Sequence, residues 1–147
     1  TADAMGEAIE ALCADRLTWT PQVHEHATKA PMLKKSDGKV DWDQDSLALH
    51  NHIRAMSPWP GAQTSLAGIP LRILKTALIS QDGMAGYGTS PPGTIVEFDG
   101  EAALVRSRDG FIKVLEIQPA GKRAMAVSSF LQGRRFQLPQ CFERMQS

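Results

Sequence analysis

Cysteine is scarce in this sequence, with only Cys13 and Cys141 in 147 residues. The two lie far apart and match no zinc or redox spacing, and a chain with so few cysteines is not a disulfide scaffold. We interpret both thiols as either structural or without a role, in a reducing intracellular compartment, and expect a cytoplasmic protein.

Long apolar runs are also missing. No stretch approaches the length that crosses a bilayer and nothing resembles a signal peptide, so we expect no membrane partner. Aromatic residues make up 6% of the chain, with a single tyrosine, which leaves few rings for base stacking. Trp59, between two prolines, is interpreted as a packing wedge. Contacts to a nucleic acid would therefore be directed at its backbone rather than its bases.

The sequence has no recognisable catalytic signature. The glycines at 83, 86 and 88 lack the strand-to-helix context and the following lysine of a phosphate-binding loop. The serines lack the nucleophile-elbow pattern, and no spacing singles out a pair of acid and base carboxylates. Residue chemistry alone thus predicts a binding function rather than catalysis.

Four histidines provide little support for a metal site. In an extended segment, His24 and His26 would face one side, but a third ligand at a matching spacing is missing. A solvated linker is favoured there. On a helix, His50 and His52 would diverge by roughly 200°, which predicts helix-surface histidines. No metal is expected.

The overall charge is balanced, with sixteen basic and sixteen acidic side chains, but the balance hides an asymmetry. Residues 1–60 carry six basic and nine acidic side chains. Within 102–135 seven basic side chains face two acidic ones, a local net charge of +5. Such a segment attracts polyanions, although a solvated surface remains an equal alternative. The seven are Arg106, Arg108, Lys113, Lys122, Arg123, Arg134 and Arg135.

Periodicity predicts helices early and strands later. Apolar spacing predicts a helix over 2–16 and a second over 44–56, which Asp43 would cap; residues 18–38 read as an extended linker. From residue 62 the period becomes two, with turns at Asp99-Gly100 and Asp109-Gly110. Residues 80–92 read as a loop, and a last helix is predicted over 127–133. The predicted strands are 62–67, 69–79, 93–98, 102–107 and 111–117.

These elements predict a mainly β fold with flanking helices: a five-stranded barrel of the oligonucleotide/oligosaccharide-binding (OB) type, preceded by a helix and an extended linker. Lys122 and Arg123 follow a strand directly in the run Gln118-Pro119-Ala120-Gly121-Lys122-Arg123, so they would project from the barrel rim toward nucleic acid. Arg134 and Arg135 end the last helix. For this pair, complementarity to the helix dipole alone is an equal alternative.

Several segments together resemble methionyl-tRNA formyltransferase, specifically its C-terminal portion. The first is Val40-Asp41-Trp42. The second runs from Ile53 to Ala62 and contains Pro58-Trp59-Pro60-Gly61-Ala62, which relatives that formylate other amines share. The third, Leu115 to Met125, contains Gln118-Pro119-Ala120-Gly121-Lys122-Arg123 and argues for the tRNA enzyme. The order and spacing of these motifs make the resemblance specific over about residues 4–137.

The resemblance implies a division of labour. Residues 1–17 would be the last helix of a missing N-terminal catalytic domain, 18–38 the linker, and 39–147 an OB-like tRNA-binding domain. The parent enzyme would transfer a formyl group from 10-formyltetrahydrofolate to initiator methionyl-tRNA for translation initiation. This chain would hold neither the folate nor a catalytic residue, and would be inactive alone. Alternatively, the barrel is an interdomain scaffold in a formyltransferase acting on another amine, such as an amino sugar nucleotide.

The resemblance also implies where tRNA binds. Lysines of the linker would touch the tRNA near the active site, and basic residues would line the barrel. The implied tRNA-binding residues are Lys34, Lys35, Lys75, Lys113, Lys122, Arg123, Arg134 and Arg135.

Overall fold

The computed structural model describes residues 2–80, 90–134 and 139–144. The chain folds as two units that divide between Met32 and Leu33, a point within the predicted linker. Most of the predicted loop 80–92 lies outside the described residues, as does Arg135. Within the described residues, no helix combines the length and the apolarity that a membrane crossing requires.

The first unit contains helix α1, Ala2–Cys13, which ends three residues earlier than the pattern predicts. Its apolar stripe, Met5, Ile9 and Leu12, is more than half exposed. Further along this unit, His24–His26 form a short 3₁₀ helix rather than an extended segment.

The second unit is a closed antiparallel barrel with helices attached to it. A 3₁₀ turn at Lys35–Gly38 comes first. Two helices follow, α2 at Ser46–Ala55 and α3 at Val127–Arg134. The strands are β1 Ala62–Leu66, β2 Ile69–Leu78, β3 Thr94–Phe98, β4 Ala103–Arg106, β5 Phe111–Pro119, β6 Met125–Ala126 and β7 Gln140–Glu143.

Strand pairing runs β2-β1-β7-β3-β4-β5, and a β2–β5 pairing closes the circle. The short β6 adds to β5 on the outside of this order. The mainly β barrel with flanking helices is confirmed. A sixth strand, β7, joins the five expected from the sequence. Apolar side chains of the barrel and of α2 form one core, with Ile73, Ile112 and Ile117 at most 1% exposed.

Strand β7 is held by a buried aromatic pair. Trp42 and Phe142 stack with ring centroids 5.1 Å apart. The indole N–H of Trp42 donates to the Thr64 hydroxyl at 3.2 Å. That hydroxyl in turn donates to the backbone carbonyl of Glu143 at 2.7 Å. The polar edge of Trp42 is thereby satisfied inside the core, and β1 is tied to β7.

Gly93 is the point where β7 approaches the start of β3. Its φ is +89°, and a Cβ built there would lie 2.5 Å from the backbone carbonyl oxygen of Phe142. That carbonyl belongs to a strand of the barrel, so it has little room to move. Gly100, in the β3–β4 turn, has a similar φ of +92° but no atom within 4 Å of the same position.

We therefore expect Gly93→Ala to lower the free energy of unfolding by about 2–4 kcal/mol, combining backbone strain and the clash. The control, Gly100→Ala, meets only the strain and should cost about 1–2 kcal/mol. Urea denaturation of both variants measures the difference. Equal losses of stability in the two variants would contradict a close contact between position 93 and the carbonyl of Phe142 on β7.

Helix α2 is capped from a distant turn rather than by Asp43. The helix begins at Ser46, and its N-cap residue, Asp45, makes no side-chain capping bond within the described residues. Instead, the Ser46 backbone N–H and hydroxyl donate to Oδ1 of Asp109, at 2.8 and 3.0 Å. The Ser107 hydroxyl donates to the same oxygen at 3.1 Å. The prediction for Asp43 is therefore wrong, because a β4–β5 turn residue supplies the acceptor.

Partial burial alone would raise the pKa of Asp109, but the hydrogen bonds from Ser46 and Ser107 outweigh it and lower that pKa. A carboxyl group whose pKa is lower in the folded state stabilises that state when the pH is above the group's ordinary pKa, near 4. This stabilisation is lost as the pH falls below about 4. We expect Asp109→Ala to cost about 1 kcal/mol at neutral pH and to weaken the loss of stability in acid. Chemical denaturation at pH 7 and pH 3 measures both. Asp43→Ala is the control, and a cost equal to that of Asp109→Ala would contradict the cap.

Candidate nucleic-acid interface

The run Gln118 to Arg123 forms a rigid turn at the end of β5. The N–H of Lys122 donates to the carbonyl of Pro119 at 3.0 Å. Gly121, the third residue of this turn, has φ +72°, as a type II turn requires. The N–H of Ala120 donates to the carbonyl of Pro70 at 3.0 Å, which fixes the turn to the start of β2. Lys122 and Arg123 follow the bend and are exposed.

Arg72 on β2 lies next to this turn, between two glutamines on neighbouring strands. Gln63 of β1 is directly opposite Arg72 on one side. Gln118 of β5 is directly opposite it on the other. Residues opposite each other in antiparallel strands project to the same face, so the three side chains form a row across the outside of the barrel.

A cleft of about 460 Å³ opens over this row. Its floor is the row itself and Leu71, and its edges are the 3₁₀ turn with Lys35, the prolines at 70 and 119, and Ala120-Gly121. The cleft therefore adjoins the turn that carries Lys122. Lys35 and Lys122, far apart in sequence, are thus brought to neighbouring segments, with Arg72 beside them.

Seven of the exposed cations in the barrel unit have no carboxylate within ion-pair distance among the described residues. One is Arg54 on helix α2; the other six are Lys34, Lys35, Arg72, Lys75, Lys122 and Arg123. An exposed cation with no internal partner can neutralise an external phosphate without first losing an ion pair. Lys75 differs from the others because Glu116 lies opposite it in the β2–β5 pairing, which reduces the local positive potential.

Three other cations of the 102–135 segment are already engaged. Arg108 pairs with Asp45 at the start of α2. Arg106 lies over the Phe111 ring, 4.8 Å from its centroid. Lys113 donates to Asp99 at 2.8 Å, and this hydrogen bond raises the pKa of Lys113. Asp99 also accepts from the N–H groups of Glu101 and Ala102, so Lys113 braces the β3–β4 turn and does not lie with the cations near the cleft.

The last two predicted residues are Arg134 and Arg135. The backbone of Arg134 ends helix α3, at the place the sequence predicts. Arg135 lies outside the described residues. Both remain predictions.

The histidine expectations change with the structure. His50 is not a surface histidine: it is half-buried, and its Nδ1 lies 2.8 Å from the Thr76 hydroxyl on β2. Burial, with Arg54 nearby, lowers the pKa of His50, so it is neutral at physiological pH. His24 and His26 are exposed on a 3₁₀ turn, where residues two apart do not share a side. Within the described residues, no three metal-ligating side chains cluster.

Trp59, interpreted from the sequence as a packing wedge, is 54% exposed, so about half of the residue is covered by the rest of the protein. Sequence reasoning also missed Arg72 and its two glutamines. Alternation along β2 marks Arg72 as outward-facing, but its partners come from two other strands, and only the pairing register reveals them.

Comparison with known proteins assigns this barrel to a family. The model for "Formyl transferase, C-terminal domain" matches residues 32–135, most of the barrel unit. The chain belongs to the formyl transferase C-terminal domain family. The Lys35 turn, the Arg72 row and the Gln118–Arg123 run all lie inside the matched range, so they are features of this family member's domain.

Among curated relatives, the methionyl-tRNA formyltransferase of Chloroflexus aurantiacus is 37% identical over 133 residues. These cover 90% of this chain and 41% of the relative. The methionyl-tRNA formyltransferase of Solibacter usitatus is 36% identical, covering 91% of this chain and 41% of the relative. The chain thus spans about two-fifths of the length of these relatives.

Two solved structures share the fold. A variant of HypX from Aquifex aeolicus matches with a TM-score of 0.59 at 18% identity, covering 93% of this chain and 23% of that chain. HypX from the same organism in complex with tetrahydrofolic acid matches with a TM-score of 0.56 at 18% identity. That match covers 90% of this chain and 22% of HypX. At this identity the likeness shows the fold alone.

Proposed function

We propose that this chain is the tRNA-binding part of a methionyl-tRNA formyltransferase, which transfers a formyl group from 10-formyltetrahydrofolate to the amino group of initiator methionyl-tRNA for translation initiation. The observation that carries the proposal is the match to relatives of that name over 90% of the chain. The unpaired cations around the Gln118–Arg123 turn supply the phosphate contacts that such a role needs.

The proposed mechanism assigns positioning to this chain and chemistry to the rest of the protein. The side chains around the cleft are cations, amides and apolar groups; none of them is a carboxylate or a histidine that could act as a general base. We accordingly assign the folate and the catalytic groups to the part of the relatives that this chain does not span. Held by its phosphates, the tRNA would present its aminoacyl end to that part, which lowers the entropy cost of the transfer.

The proposed tRNA contacts are Lys34, Lys35, Arg72, Lys75, Lys122 and Arg123, together with Arg134 and Arg135. We expect Lys113 to contribute less to tRNA binding than these residues, because its ammonium group already donates a hydrogen bond to Asp99. Localisation in the cytoplasm follows from the same proposal, since translation takes place there.

Binding of initiator tRNA, compared with heparin at the same salt concentration, tests the proposal. We expect tRNA binding to weaken as salt rises, and we expect heparin to displace the tRNA only weakly. The reason is that specific contacts to positioned phosphates add affinity beyond the general attraction between opposite charges. Equal affinity for the two polyanions would instead favour the alternative in which the barrel is an interdomain scaffold and its charges are incidental.

A further inference from the structure

The cleft over Arg72 is larger than phosphate contacts require. An exposed lysine or arginine contacts a phosphate on an open surface, with no cavity at all. A volume of 460 Å³ instead lies within the range of roughly 300–1,000 Å³ that small-molecule sites occupy. The walls include the rings of Pro70 and Pro119, so the cleft offers apolar surface together with charge.

Two amides in the cleft are held by their nitrogen atoms. Nε2 of Gln118 donates to the carbonyl of Lys122 at 3.1 Å. Nε2 of Gln63 donates to the carbonyl of Pro60 at 3.4 Å. These bonds orient each amide so that its Oε1 is left to accept an N–H from a ligand. Because the two glutamines lie on opposite sides of Arg72, the acceptors flank a guanidinium donor.

Gly61 leaves room for the side chain of Arg72. Its φ is +85°, and a Cβ built on it would lie 2.9 Å from Cδ of Arg72, so the arginine occupies the space that a side chain at position 61 would take. Arg72 has no ion-pair partner within the described residues. An unpaired guanidinium offers a flat face for stacking and donors for phosphate or base oxygens.

Resting on the function proposed above, we propose that this cleft holds one unpaired nucleotide of the bound RNA, with its base against Arg72 and the prolines and its edge read by Gln63 and Gln118. Lys35 at the cleft edge takes the adjoining phosphate. The nucleotide must be unpaired, because a base within an A-form stem is stacked and cannot enter a cleft, whereas splayed bases stack on arginine planes and bond through their edges. The domain would then read one base as well as the RNA backbone.

The test compares two duplexes of two annealed RNA strands, one fully paired and one with a single-nucleotide bulge, by fluorescence anisotropy with the 147-residue chain. We expect the bulged duplex to bind roughly tenfold more tightly, the order of one stacked base. Arg72→Met and Gln118→Leu should each reduce this ratio to about one, and Gln118→Leu should do so without changing the salt dependence, because it removes no charge.

Lys75→Met is the matched control for Arg72→Met, since both remove one exposed cation from β2. It should weaken binding of both duplexes alike and preserve the ratio. Gln63→Leu provides a second uncharged variant if Gln118→Leu disturbs the neighbouring turn. The proposal would be overturned if Arg72→Met and at least one glutamine variant still bound the bulged RNA more tightly than the fully paired RNA.

The test also separates this proposal from the proposed function. Salt-dependent tRNA binding by the wild-type chain without any preference for the bulge would overturn the nucleotide site and leave tRNA binding intact. Failure to bind any RNA at low salt would overturn both.

Discussion

Replacing Lys122 and Arg123 together by methionine is expected to weaken tRNA binding roughly 10- to 100-fold at 0.1 M salt, through the loss of two phosphate contacts. Both side chains are exposed directly after a turn that three hydrogen bonds hold in place. Neither has a carboxylate partner within the described residues. The slope of log affinity against log salt should become shallower by about two units.

A second double variant, Arg108→Met with Lys113→Met, removes the same total charge. Its two cations are engaged with Asp45 and Asp99. We therefore expect neither side chain to contact a phosphate. The affinity for tRNA should fall less than about threefold, because only a long-range attraction that salt screens is lost. Equal losses in the two double variants would contradict the account, because overall charge rather than the Gln118–Arg123 turn would then determine binding.

Phe142→Ala is expected to lower the free energy of unfolding by about 3–5 kcal/mol, as truncation of a buried aromatic ring does. Phe142 is 2% exposed and stacks on Trp42. It also lies on β7, the strand that joins β1 to β3 and completes the barrel. A loss of this size is a large share of the stability of an ordinary domain, roughly 5–15 kcal/mol.

Trp59→Ala removes another aromatic ring, but one that is 54% exposed. We expect it to cost about 1–2 kcal/mol, less than Phe142→Ala, since only about half of the residue leaves water on folding. Urea denaturation of both variants measures the contrast. A cost below about 1 kcal/mol for Phe142→Ala would mean that β7 is not an integral part of the barrel core.

Local signals in the sequence predicted much of the barrel. Alternating apolar residues and the turns Asp99-Gly100 and Asp109-Gly110 placed all five predicted strands within two residues of their observed ends. Helix α3 was predicted with similar accuracy. These features depend on neighbours in the chain, which is why a single sequence contains them.

The errors arise where residues distant in sequence decide the structure. The cap of α2 comes from Asp109, 63 residues after Ser46, whereas the residues next to the helix favour Asp43. Strand β7 has only four residues and gains its stability from pairing with β1 and β3. The apolar pattern of β2 changes phase at a bulge near Leu74, which no local rule predicts.

The candidate site likewise combines features that neighbouring residues predict with features that only the fold reveals. The run Gln118 to Arg123 was recognisable as a cationic turn from its own residues. Lys113 looked equivalent to Lys122 by charge, and only the fold shows that Asp99 holds it. Arg72 had no distinguishing sequence feature, because Gln63, Gln118 and Gly61 surround it only after the strands pair.

The central claim is that the unpaired cations around the Gln118–Arg123 turn hold tRNA by its phosphates. The most direct test is the affinity of the chain for initiator tRNA, measured from 0.05 to 0.3 M salt. With most of the six proposed contacts that the structure describes engaged, log affinity should fall linearly with log salt with a slope of about −3 to −5. A slope shallower than about −1, or no binding at 0.05 M salt, would contradict the claim.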